Sequence, residues 1–187
     1  MKKIRLIAGI LPISLTISSS VFALGGATTL PGVGTVVPAQ TTIHWEGSIS
    51  DVIPGDNIII TGLNSNVKID KGNLNLETNG TFDSTKIVLE SHVYDSESQI
   101  IADDVAVATW ALKSVQYTWG ENIMTNAEVK VFDSLDPDNA LVVDQPITNV
   151  GSMSLNVKNA KPLAPADITD KTAAANVDVT MTAAFPV

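Results

Sequence analysis

An all-β fold is predicted for this 187-residue chain by three observations. Short runs rich in β-branched and aromatic residues alternate with polar ones, the period-2 pattern of strands with one buried face. Gly, Pro, Asn and Asp recur between the runs, as in Pro54-Gly55-Asp56, Asp70-Lys71-Gly72 and Asp136-Pro137-Asp138-Asn139, at roughly the 8 to 12 residue spacing of a sandwich or barrel. No segment sustains an apolar i, i+3, i+4, i+7 stripe over three turns, so no long amphipathic helix is expected.

The pattern places strands at 41–50, 57–61, 66–69, 74–78, 86–94, 105–112, 115–119, 127–132, 141–143, 152–157 and 177–185. Ala164 to Ala175, opening on Pro165-Ala166-Asp167, is read as one short helix or an exposed loop. The last segment is the most regular. Val177, Val179, Met181, Ala183, Phe185 and Val187 alternate with Asp178, Thr180 and Thr182. A strand with one wholly apolar face must cover a core, and an open edge on it invites pairing with another chain.

Lys2, Lys3 and Arg5 precede an apolar run from Leu6 to Ile17, followed by small residues up to Val21-Phe22-Ala23. This is the layout of a secretory signal peptide, with cleavage expected after Ala23. The run is interrupted by Pro12 and is shorter than the ~20 residues of a membrane-spanning helix. Removing 23 residues from 187 leaves 164, the size of one domain. The removed segment carries three of the eleven basic residues and none of the twenty acidic ones, so eight against twenty remain, a net charge of −12. Such a balance argues against a nucleic-acid partner, which needs clustered Lys and Arg. With no cysteine, neither lipid acylation nor a disulfide is available, and packing and sheet hydrogen bonds must hold the domain.

Between this leader and the first strand, Leu24 to Gln40 is uncharged and rich in Gly, Thr, Pro and Val. Flexible tails are usually polar or charged, whereas this one carries Leu30, Val33, Val36 and Val37. It reads either as a leader arm or as a strand without a sheet of its own.

Residues able to carry chemistry are sparse. There is no cysteine nucleophile, no Gly-x-Ser-x-Gly elbow and no phosphate loop, and His44 and His92 are the only histidines. Both fall within expected strands, where solvent-facing positions are expected. Asp103-Asp104 and Glu97 show no spacing that singles out a glycosidase pair. Asp133, Asp136 and Asp138 supply oxygen ligands but lack the order of a calcium loop and read as a solvated turn. Trp45, Trp110 and Trp119, which could stack on a sugar, are expected to pack in the core or a groove, and Asn79-Gly80-Thr81 is expected as a turn. No catalytic residue, cofactor or metal is expected.

Two stretches resemble a known family. Thr42-Ile43-His44-Trp45-Glu46-Gly47-Ser48-Ile49 resembles the first strand of chaperone/usher fimbrial subunits, and Ala174-Ala175-Asn176-Val177-Asp178-Val179-Thr180-Met181 resembles their last strand. The likeness is to the colonisation-factor type of major pilin from enterobacteria, although the chain has no cysteine for the disulfide that many members carry. The resemblance implies an incomplete immunoglobulin-like β-sandwich (42–187) with an N-terminal donor-strand extension (24–41). The missing strand would leave a groove beside Val177, Val179, Met181, Ala183 and Phe185, filled first by a periplasmic chaperone and then by the extension of the next subunit. Counting back from Ile43, Thr41, Ala39, Val37, Thr35 and Val33 form the more apolar register and are the expected donor positions. An outer-membrane usher, a homopolymeric fimbria on the cell surface and adhesion to a host receptor are further implications. The alternative is a self-contained surface adhesin or lectin-like domain that does not polymerise.

Overall fold

The structure, a computed structural model, describes residues 37–45 and 52–185. The leader, Val33 and Thr35 of the arm, residues 46–50 at the end of the first expected strand, and Val187 of the last expected face lie outside the described residues. The described chain is all-β, with two antiparallel sheets and no α-helix.

In chain order the strands are β1 (Ala39–Trp45), β2 (Val52–Ile53), β3 (Ile58–Thr61), β4 (Leu74–Leu76), β5 (Phe82–Ser84), β6 (Ile87–Asp95), β7 (Ile100–Val105), β8 (Ala108–Trp119), β9 (Asn122–Ile123), β10 (Val129–Asp133), β11 (Asp136–Ala140), β12 (Pro146–Val150), β13 (Ser152–Asn159) and β14 (Ala175–Ala184). One sheet runs β12-β8-β14-β1-β2, with β9 also on β8. The other runs β11-β10-β13-β5-β4, and β6 joins it through β13 and carries β3 and β7. The core lies between them. Ile43, Trp45, Trp110, Leu112, Val177, Val179 and Met181 of the first sheet share one buried cluster with Ile58, Ile60, Leu89, Val131, Met153 and Leu155 of the second. In β13 alternation is complete: Met153, Leu155 and Val157 are buried while Ser152, Ser154, Asn156 and Lys158 turn outward. Period-2 patterning of this kind fixes which face of a strand meets the core.

The segmentation differs from expectation in several places. The strands expected at 105–112 and 115–119 are one, β8, because Lys113 is accommodated as a bulge: Leu112 pairs with Met181 and Ser114 with Thr180. Residues 66–69 form no strand. A 3-10 turn, Leu63–Ser65, precedes them, with Asn64 and Ser65 at positive φ and Gly62 N–H bonded to the Asn66 carbonyl. Residues 141–143 make only an isolated bridge, Val143 to Leu112. Asp136–Ala140, read as a turn, is strand β11; the reversal lies at Ser134-Leu135, where the Asp133 carboxylate accepts from the Leu135 N–H. Of Ala164 to Ala175, residues 164–174 are a loop with turns and Ala175 opens β14. The expected Asn79-Gly80 turn is present, with Gly80 at φ +81° joining β4 to β5.

Candidate assembly site

β14 has the sequence Ala175-Asn176-Val177-Asp178-Val179-Thr180-Met181-Thr182-Ala183-Ala184. Its odd positions from Val177 to Ala183 are at most 1 % exposed. Phe185, just past the strand, is partly buried against the same core. One edge of β14 pairs with β8 from Ala175 to Ala184. The other pairs with β1 of the same chain, Ala39 opposite Ala183, Thr41 opposite Met181, Ile43 opposite Val179 and Trp45 opposite Val177.

β14 is therefore bonded within one chain by β8 on one edge and, over 177–183, by β1 on the other, and among the described residues no groove is open beside Val177, Val179, Met181 and Ala183. Ala39 and Thr41, expected in a donor arm outside the sheet, are already strand residues, and both are fully buried. The strand begins at Ala39, so a boundary at residue 41 falls inside β1. Odd positions of β1 point inward, as do those of β14, because an antiparallel pair in register places opposed residues on the same face. Outside, Thr42 and Thr180 touch through their hydroxyls at 3.3 Å.

Val37, immediately upstream, is 46 % exposed. Its backbone is clasped by the following turn: the Val37 N–H donates to the Asp56 carboxylate at 3.2 Å, and the Asp56 N–H donates to the Val37 carbonyl at 3.4 Å. Gly55 makes this approach possible, since a Cβ there would lie 2.5 Å from the Val37 oxygen. On its far edge β1 meets β2 only at Gln40 and Thr41.

Trp45 ties this seam to the other sheet, its indole N–H donating to the Thr85 carbonyl at 2.9 Å. Trp110 and Trp119 are likewise buried, with N–H groups on the Val150 and Asp170 carbonyls at 2.8 and 2.7 Å. Beneath Val177, Tyr117 packs edge-on against Phe82, ring centroids 5.1 Å apart. Its hydroxyl is buried without a hydrogen-bond partner, and desolvation pushes its pKa up to about 12. Nothing in the period-2 pattern distinguishes this tyrosine from a satisfied one.

His92 corrects an expectation: it is fully buried, not solvent-facing. Nδ1 lies 2.9 Å from the Ala102 carbonyl and 3.1 Å from that of Asp104, so it carries the proton. Nε2 is 3.4 Å from Glu90 Oε2, which also accepts from the Ser65 N–H. Nδ1 thus joins β6 to β7, and Glu90 joins β6 to the turn before β4. β7 was not anticipated, which is why His92 read as exposed: the covering strand supplies the two carbonyls. His44 sits in β1 opposite Asp178. Asp103 and Asp104 are exposed on β7, and Glu97 donates its N–H to Asp95 in the turn between β6 and β7. Asp133, Asp136 and Asp138 do not converge, and among the described residues no group of three or more His, Asp or Glu could hold a metal ion.

No protein-family model matches the chain, and no curated protein or solved structure is significantly similar to it.

Proposed function

We propose that the chain is a structural subunit of a bacterial surface fimbria, an immunoglobulin-like sandwich exported through the periplasm and polymerised by strand exchange. The observation that carries this reading is the pairing of the first strand with the last in full register, inner faces apolar on both. A strand seated on the edge of β14 can be exchanged between copies: contacts of the same kind then form between chains, and a head-to-tail contact that does not close extends into a filament.

Period 2 sets how the donor would sit. In the closed chain Ala39 faces Ala183, so Val33 would fall past the end of β14. A slide by four residues keeps the same face inward and sets Val33, Thr35, Val37, Ala39 and Thr41 opposite Phe185, Ala183, Met181, Val179 and Val177, one to one. A periplasmic chaperone and an outer-membrane usher are the partners such assembly requires, and a host receptor is the target of the fibre. No catalytic role or cofactor enters the reading.

A second reading has a specific observation behind it. Because β1 already bonds the free edge of β14 within one chain, the protein would also serve as a self-contained surface adhesin that never polymerises. Val37→Asp separates the two. Val37 is half exposed and outside the strands, so the monomer should change by no more than about 0.5 kcal/mol. In the fibre the same aspartate would be buried opposite Met181, an uncompensated charge in an apolar site. Fibres seen by electron microscopy and heat-resistant multimers on gels should therefore disappear in Val37→Asp and Val33→Asp and persist in Gly34→Asp. Unimpaired fibres from all three would remove the arm as donor, and a wild-type chain that stays monomeric when co-expressed with its export machinery would leave the self-contained reading.

A further inference from the structure

The outer face of the β10–β13 pair carries an arrangement that the assembly reading does not use. In a chain with twenty acidic and eleven basic residues, Lys130 and Lys158 stand directly opposite each other on adjacent strands. Like charges so placed are destabilising. Neither makes an ion pair within 4 Å among the described residues. Lys161 completes the group, bonded to Glu128 at 2.7 Å. Glu128 is held below the ordinary glutamate range by Lys161 first and by Lys130 as well. Three ammonium groups thus face one carboxylate, a local excess of positive charge on an acidic molecule.

Phe132 lies among them, half-buried on the outward side of β10 and opposite Asn156. These residues line a depression of about 210 Å³. A second depression of about 440 Å³ adjoins it, sharing Lys158 and Ala160, and is polar and acidic: Glu77 and Asp83 line it, and Asn75 donates to Asp83 at 2.8 Å, beside Thr81. Both are shallow and open on the sheet face.

We propose that this double depression binds an acidic glycan, with the carboxylate of a terminal sialic or uronic acid between Lys130 and Lys158, its ring against Phe132, and the next sugar toward Asn75 and Asp83. The charge distribution selects this class. A polyanion such as nucleic acid needs an extended cationic track, and the chain's net charge of −9 repels it. Asp83 accepts sugar hydroxyls, and an aromatic face pairs with the apolar face of a sugar ring as it does with other apolar groups. Burying a ligand carboxylate between the two lysines relieves the repulsion that the empty face carries. The site lies on the opposite sheet from β1 and β14, so it does not depend on polymerisation, and either reading can fail alone.

The test is a titration of the intact chain, followed by amide NMR shifts, with 3′-sialyllactose, a glucuronate-terminated disaccharide, lactose and sodium sulfate. One of the two acidic sugars should shift amides at 130–132 and 158–161, with lactose at least ten-fold weaker. Lys130→Gln and Lys158→Gln should each weaken binding about ten-fold, as should Phe132→Ala, while Phe132→Tyr retains it and Lys113→Gln, on the other sheet, changes nothing. Spectra unchanged elsewhere establish that the variants fold. Absence of shifts with both acidic sugars at millimolar concentration would overturn the proposal. So would sulfate binding as tightly as the sugars, or affinity indifferent to Phe132→Ala, since either reduces the site to a simple anion contact.

Discussion

At the scale of single residues, the core is built around polar atoms that have found partners and one that has not. Each buried tryptophan places its N–H on a backbone carbonyl, which removes the desolvation cost of an orphaned donor. Trp45 additionally needs Gly72, because any Cβ there would collide with the indole ring. Gly72→Ala should therefore lower the urea midpoint by the equivalent of about 1–3 kcal/mol, as overpacking does, with no change in slope. Tyr117 is the opposite case. Its hydroxyl is buried and unpaired, so Tyr117→Phe should leave stability unchanged or raise it by about 1 kcal/mol, read as a higher melting temperature. A loss above 1 kcal/mol would mean that the hydroxyl has a partner.

At the scale of elements, β14 organises the first sheet because it has a neighbour on each edge and one continuous apolar face. Met181, fully buried opposite both Thr41 and Leu112, is where a cavity should be felt most. Met181→Ala should cost about 2–5 kcal/mol in equilibrium unfolding. The loop that delivers the chain to β14 is held by Asp170, whose carboxylate accepts from the hydroxyl and N–H of Thr172 and is kept below the ordinary aspartate value by those bonds. A carboxyl with a depressed folded-state pKa contributes stability that is present above its unfolded value and lost as pH falls through the folded one. The urea midpoint should consequently decline as pH drops below about 4, and Asp170→Asn should flatten part of that decline while lowering stability at pH 7.

At the scale of the whole molecule, the two sheets enclose a single shared core, yet the first strand is an interior strand on one side and almost an edge on the other, meeting β2 over two residues. Under the proposed strand exchange, that asymmetry would make the β1–β14 seam the place where a closed monomer and an open chain of subunits compete. If exchange occurs, assembly should be cooperative in protein concentration, and fusing a second copy of residues 24–41 to the C-terminus through a turn should shift the population to monomer on a sizing column. A fusion that still forms multimers would show that the seam is not what joins the subunits.

Much of this was legible in the sequence, and for a definite reason. A strand's inner face is written locally, as alternation, so the all-β class, the inward set of β14, the odd register of Ala39, Thr41, Ile43 and Trp45, and the burial of three tryptophans follow from residues two apart. Strand pairing is written nowhere locally. Whether β14 meets its own chain or another depends on which residues distant in sequence come to lie along its edge, and the structure places β1 there. The same holds for His92, buried only because β7 crosses it with two carbonyls, and for Lys130 and Lys158, 28 positions apart and made neighbours by the antiparallel register of β10 on β13. Alternation determined which side of each strand is apolar; hydrogen bonding between strands far apart in the chain decided what each side faces.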